Sequence, residues 1–248
     1  MVNSHLPIAL FKALFKFRHF QMSQHLHRDI EALEQDLLAQ SSIVERMIYR
    51  ASQALRELRT DLIEQLHRDE DTVNSQEVDI EEECLKMLAL HQPVAVDLRR
   101  VATVLKINGD LERIADLAVN IGERAQALVH HPQFLFPYKL DLMVEAATTM
   151  VRDALDAFVR LDVEAARDVC LRDDIVDELN RQVIDDIKQF LQDHISEIEP
   201  ALQFFSASRH IERIGDHATN IAEDVIYLVN GEIARHRHDD APLESENW

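Results

Sequence analysis

The sequence predicts an all-α protein built as two tandem antiparallel three-helix bundles, an internal duplication, and three observations carry that reading. Turn residues are scarce, with 4 Gly and 6 Pro among 248 residues, too few for a chain rich in tight turns. Ala, Leu, Glu, Arg and Gln fill long stretches, and these are strong helix formers. A polar–apolar word also occurs twice: DLERIADLAVNI over Asp110–Ile121 and HIERIGDHATNI over His210–Ile221. The copies agree at Glu112/Glu212, Arg113/Arg213, Ile114/Ile214, Asp116/Asp216, Ala118/Ala218, Asn120/Asn220 and Ile121/Ile221.

Apolar spacing and breakers give six helices. The first covers residues 24–58. Thr60 and Asp61, with Glu64 following, read as the N-cap of a second that runs to Leu90. His91-Gln92-Pro93 ends it, and Pro93 suits a first helical position for a third helix over 94–129. HHPQFLFPYK, with Pro132 and Pro137, is the clearest boundary in the chain. A fourth helix then covers 138–161, Asp162 caps a fifth to Ile195, and Pro200 starts a sixth that stops at Asn230-Gly231. RDEDTVNSQEVDI and LRDDIVDELNRQVI extend the repeat, matching Asp71–Asn74 to Asp174–Asp177. Short connections make sequential helices antiparallel neighbours, and helices of this length make rods of roughly 45 Å. The units are therefore 22–131 and 132–231, flanked by an N-terminal extension over 1–21 and a tail over 232–248 read as disordered, where His236 and His238 are solvated.

A formal charge of −20 argues against nucleic acid, whose phosphates need Lys and Arg. It suits a cation binder or a partner of basic surfaces. Cys84 and Cys170 stand alone in helical patterns, as buried reduced thiols of a cytosolic protein do, and neither has metal-ligand spacing. No apolar run reaches membrane-spanning length. The extension carries two readings. Leu6–Phe20 is basic and rich in Phe and Leu, as an amphipathic surface segment is. Met22, however, opens the acidic helical pattern and is a natural alternative start, which would leave residues 1–21 untranslated.

At 100° per residue with Glu112 at zero, Asp116 falls at about 40°, Asn120 at about 80° and Glu123 at about 20°. They form one polar stripe, opposite Leu111, Ile114, Ala118 and Ile121. Glu212, Asp216, Asn220 and Glu223 repeat it. Arg113 and Arg213 lie about 100° away and soften the carboxylate repulsion. Such a stripe is ordinarily a solvated acidic face. Its recurrence at the same place in both copies raises a second reading, a cation site, because carboxylate and carboxamide oxygens suit Mg, Mn, Fe or Zn. One helix cannot enclose a metal, and Asp71, Asn74, Asp174 and Asp177 offer a second source of ligands. Upstream, Val94, Leu98, Ala102 and Leu105, and Ala201, Leu202 and Phe205, form an extra apolar face that predicts cover by the sister bundle or another subunit. His217 reads as a structural histidine. Asp97, Arg99 and Arg100 read as solvated charge, with a partner contact as the sharper alternative.

VDLRR (Val96–Arg100), LERIADLAVNI and HIERIGDHATNIAEDVIYLV (His210–Val229) resemble the PhoU family of phosphate-transport accessory proteins, over Met22–Gly231. The resemblance implies two tandem three-helix bundles, often as a homodimer, and cytoplasmic negative regulation rather than catalysis. The implied partners are the ATPase of the phosphate ABC transporter and a phosphate-sensing histidine kinase, with membrane association through them. Some members bind iron or divalent metal clusters through E(D)xxxD motifs, which fall here on Glu112, Asp116, Glu212 and Asp216. Asp97, Arg99, Arg100, Arg113 and Arg213 are the candidate partner contacts. Ala115 departs from a usual Gly, kept at Gly215, and Asn74 stands where Asp is common. Two rivals remain: a metal-free scaffold, and a di-iron bundle enzyme. The second is weak, because Glu64-Gln65-Leu66-His67 is the only Glu-x-x-His present and that chemistry needs two.

Overall fold

The computed structural model describes residues 8–131 and 137–231, with side chains from His25 onward. Its helices are α1 (Ile8–Glu57), α2 (Asp61–His91), α3 (Ala95–Leu128), α4 (Tyr138–Arg160), α5 (Val163–Asp193) and α6 (Ile198–Asn230), with a 3-10 turn at Ile195–Glu197. No strand occurs among the described residues. Helices α1–α3 form one bundle and α4–α6 the other. The expectations for the tail, including His236 and His238, lie outside the described residues.

Helix boundaries follow the breakers with three corrections. Helix α1 begins at Ile8 rather than residue 24 and spans 50 residues. No Gly or Pro interrupts the sequence between Pro7 and Glu57, so nothing in it halts the helix upstream. Thr60 does not cap α2: it already sits at φ −68°, ψ −21° and makes no side-chain cap hydrogen bond. An N-cap hydroxyl reaches the orphan amides only from an extended backbone. Pro93 lies before the extended Val94 that precedes α3, rather than inside the helix. Asp162 caps α5 as expected, accepting from the amides of Glu164 at 3.1 Å and Ala165 at 3.0 Å. Gly231, at φ 74°, donates to the Tyr227 carbonyl and ends α6.

Each bundle packs a heptad seam. Leu66, Val73, Ile80 and Met87 of α2 meet Val104, Ile107, Leu111, Ile114 and Ala118 of α3, and Val169, Val176 and Val183 of α5 play the same part against α6. Buried amides add specific ties: Asn108 donates to the Glu77 carbonyl at 2.8 Å. Gly122 marks a close approach, because a Cβ there would stand 2.4 Å from Leu66 Cδ1. A Cβ on Gly215 meets Val176 at an ordinary 3.5 Å, so Ala115 in the first copy is sterically neutral.

The bundles join chiefly through antiparallel contact of α3 with α6. Lys106 pairs with Asp224 at 2.6 Å, and Asp110 accepts from His217 at 2.8 Å and Asn220 at 3.4 Å. Arg99 Nε donates to the Leu228 carbonyl at 3.2 Å, where the last turn of α6 carries partial negative charge. The predicted apolar face is thus covered only in part. Leu105 packs on the core and Ala201 is buried, whereas Val94, Leu98, Leu202 and Phe205 stay exposed. The seam runs along the neighbouring azimuth, where charged pairs lock the register.

Candidate functional site

The duplicated word places one acidic stripe on each bundle, because the opposite side of each helix is committed to core: Ile114, Ala118 and Ile121, and Ile214, Ala218 and Ile221, are at most 2 % exposed. In the first bundle the Glu112 and Asp116 side chains are 26 % and 36 % exposed. Arg113 spans them, 3.4 Å from Glu112 and 3.6 Å from Asp116. Burial pushes the Glu112 carboxyl above its ordinary range, followed by the charge of Asp116; Arg113 opposes, and Glu77 and Glu70 add to the rise.

The second stripe is more strongly perturbed. Glu212 is 13 % exposed and pairs with Arg209. Its Oε2 is buried without a hydrogen-bond partner. Burial, then the charges of Asp173, Glu212 and Asp177, push the Asp216 carboxyl up to about 6, with His217 opposing. Thr219 donates to Asp173 at 3.3 Å and holds that carboxylate beside Gly215.

These charges correct the sequence reading of the facing helices. Asp71, Asn74 and Asp174 are exposed, and Glu70, Glu77, Asp173 and Asp177 are the carboxylates of α2 and α5 that act on the stripes. Of the residues named from sequence on those helices, Asp177 alone acts on its stripe. Position explains the shift. Glu70 and Glu77 lie four residues after the buried Leu66 and Val73, and Asp173 and Asp177 follow Val169 and Val176 in the same way, by four residues and by one. Residues flanking the buried seam meet the neighbouring helix.

Beyond the carboxylate pairs the stripes diverge. Asn120 donates to the Asp116 carbonyl at 2.8 Å, and Asn220 turns to Asp110 in the α3–α6 seam. Glu123 lies near Arg124 at 3.5 Å and His67 at 3.9 Å. Glu223 is buried, and its charge acts on the Cys170 thiol. Arg99 is engaged with α6, and Arg100 forms a forked pair with Glu34 at 3.0 and 3.1 Å. Asp97 lies half-buried in the first turn of α3, where its charge matches the helix dipole. Arg113 and Arg213 are exposed. His217 is satisfied by Asp110, as a structural histidine should be. Burial pushes Cys84 up to about 12 and Cys170 up to about 11, so both thiols stay protonated at neutral pH. Glu64 and His67 are exposed rather than inward-facing, unlike di-iron ligands.

The donor set fits a hard or borderline cation: carboxylates from two helices, one with an orphaned buried oxygen, and a field that raises Asp216. Among the described residues no three such side chains converge as a finished metal cage. An ion held here would be bound at an open face and would draw the remaining ligands from water or from another molecule.

Fold and stripes together define an internally duplicated helical-bundle protein with one acidic face per bundle. The chain belongs to the PhoU family: the PhoU domain matches it twice, over residues 37–125 and 140–225. It is 38% identical over 214 residues to the phosphate-specific transport system accessory protein PhoU homolog of Aquifex aeolicus, covering 86% of this chain and 96% of that one. The crystal structure of PhoU from Pseudomonas aeruginosa superposes with a TM-score of 0.80 at 35% identity, covering 83% of this chain and 99% of the other. The phosphate transport system regulatory protein PhoU from Streptococcus pneumoniae gives 0.79 at 26% identity, covering 84% and 98%.

Proposed function

We propose that this chain is a cytoplasmic regulatory adaptor of phosphate uptake, acting by binding rather than catalysis. It contacts the ATPase of a phosphate ABC transporter and a phosphate-sensing histidine kinase, biases the kinase against the starvation response, and works as a homodimer. Family membership and the names of its relatives support the transport role. The observation that carries the site reading is the paired stripe: Glu112/Asp116 and Glu212/Asp216, each faced by carboxylates of the adjacent helix. In this reading Fe, Zn, Mn or Mg neutralises each stripe and organises the surface that meets a partner. Coupling between transporter and kinase requires different affinities for the two transporter states.

Elemental mass spectrometry of untagged, dialysed protein tests the metal half of the proposal. Metal should accompany the wild type near stoichiometry and fall with Glu112→Ala/Asp116→Ala and again with Glu212→Ala/Asp216→Ala. A wild type that stays empty on titration would make the stripes metal-free contact faces, the scaffold reading. The adaptor half fails if the protein binds the ATPase equally in its ATP-bound and nucleotide-free states.

A further inference from the structure

Lys106 and Arg124 stand about five full turns apart on α3, so both lie on the side that meets α6. On α6, Ser206, His210 and Arg213 recur at i, i+4 and i+7, along the side that carries His217 and Asp224 into the same seam. The two ends of the seam are thus built from equivalent positions, but their charges differ. One end pairs Lys106 with Asp224 and Asp110 with His217. At the other end the position of Asp224 is taken by Arg124 and that of Asp110 by His210. Both carboxylates of the first end are missing from the second, and basic groups stand in their places.

Nothing in the fold supplies the counter-charge. The Arg124 side chain is 29 % exposed, and among the described residues its adjacent Glu123, at 3.5 Å, is the only carboxylate within ion-pair distance. Its Nε donates to the Asn120 carbonyl at 3.1 Å. Arg213 is exposed and has no ion pair among the described residues, and Glu212 is taken by Arg209. His210 Nε2 lies 3.3 Å from Ser206 Oγ, while Nδ1 is buried without a hydrogen-bond partner. Burial, then the charges of Arg124 and Arg213, push this imidazole down, so both guanidinium groups act on the ring.

We propose that this end of the α3–α6 seam binds a phosphate-type oxyanion, which takes the place of the two missing carboxylates. Arg124 and Arg213 supply charge-assisted hydrogen bonds, Ser206 a hydroxyl and His210 a ring nitrogen. Planar guanidinium forks match the oxygens of phosphate, and charge-assisted bonds of this kind are the strong ones. Donors arriving from two helices suit a tetrahedral ion better than a planar carboxylate. Bound there, the ion ties α3 to α6 as Asp224 does at the other end, and the clamp on the bundles becomes two-sided. Free phosphate and a phosphate monoester share this chemistry. The site uses no carboxylate of the acidic stripes, so it stands whether or not they hold metal.

The test is titration of the full-length, chelator-treated chain with inorganic phosphate and, separately, with glycerol phosphate, at constant ionic strength, read by phosphorus NMR line broadening. The chain should bind at least one of them. Tighter binding of inorganic phosphate assigns the site to the free ion, and tighter binding of the monoester assigns it to a phosphorylated group; either order upholds the site. Arg124→Met should weaken binding by at least about tenfold, the worth of a hydrogen bond to a charged group. Ser206→Asp offers Arg124 a carboxylate from within the chain. It should abolish phosphate binding and raise the thermal unfolding midpoint in phosphate-free buffer, and it decides the matter even where Arg124→Met does not fold. Absence of binding by the wild type, or binding that Ser206→Asp or a folded Arg124→Met leaves unchanged, would overturn the proposal.

Discussion

In the first bundle Arg113 spans Glu112 and Asp116 and dilutes their charge; in the second, Arg213 pairs with neither counterpart among the described residues, and Arg209 takes Glu212 instead. The α3–α6 seam is just as uneven. At one end Lys106 meets Asp224 and Asp110 meets His217. The counterparts at the other end, a hundred residues away in sequence, are Ser206, Arg124, His210 and Leu117. There burial, then Arg124 and Arg213, push the His210 imidazole down, and its Nδ1 is buried without a partner. Duplication has preserved the stripe residues while their electrostatic surroundings have separated. The second stripe is the more heavily charged, and the clamp on the bundles is one-sided.

The largest effect that would sharpen this comparison is at the clamp. Lys106→Met strips Asp224, only 2 % exposed, of its lysine. Breaking a buried pair costs about 3–5 kcal/mol, and the half-exposed lysine reduces this to about 2. Arg124→Met, at the position equivalent to Asp224, should cost less than about 0.5 kcal/mol. Urea unfolding of both variants decides the matter: equal losses would mean that the seam is held symmetrically.

Next is the pH dependence of the second stripe. Folding raises the Asp216 carboxyl from 3.8 to about 6, so the native state holds the proton more tightly than the unfolded chain. Linkage then makes stability fall as pH rises through that window, with the loss complete above about 6. A bound cation reverses the field and must displace the proton. Asp216 is exposed, so solvent screens part of this field, and Mn affinity at this stripe should drop by up to about tenfold between pH 7 and pH 5. Titration of Glu112→Ala/Asp116→Ala protein, which retains only the second stripe, isolates the effect. Flat affinity across that range would remove Asp216 from the ligand set.

What the sequence made legible follows from what one helix can tell about itself. The stripes could be placed on a wheel because Glu112, Asp116 and their counterparts share a helix with their own core residues. The facing carboxylates could not, because choosing Glu70 over Asp71, or Asp173 over Asp174, requires the azimuth at which two helices meet. The heptad Leu66–Val73–Ile80 held that information, since residues beside the buried seam face the neighbour. The apolar face of α3 was legible as a face but not in its cover, which depended on Arg99, Lys106 and Asp110 selecting a different contact line. The early start of α1 was written in the lack of any breaker after Pro7.

Capping offers the third test, at about 1 kcal/mol. Asp162 accepts two amide hydrogen bonds at the start of α5, whereas Thr60 at the equivalent place in the first bundle accepts none. Asp162→Ala should lower stability by about 1 kcal/mol and Thr60→Ala by almost nothing. Thermal unfolding that moved equally in both would show that the backbone turn at Arg59–Thr60 hides a working cap.

The smallest effect tests the stripes directly. Arg113 is exposed, so its hold on Glu112 and Asp116 is screened and amounts to about 0.2–1 kcal/mol. That hold competes with any cation the stripe binds. Removing it with Arg113→Ala should strengthen Mn binding in the first bundle by about 1.4- to fivefold. Arg213→Ala should leave the second bundle unchanged, because Arg213 pairs with neither Glu212 nor Asp216. Isothermal titration on backgrounds that retain one stripe at a time separates the two. If Arg113→Ala weakened binding instead, the arginine would be orienting the carboxylates for the ion, and the two copies of the word would differ in design as well as in surroundings.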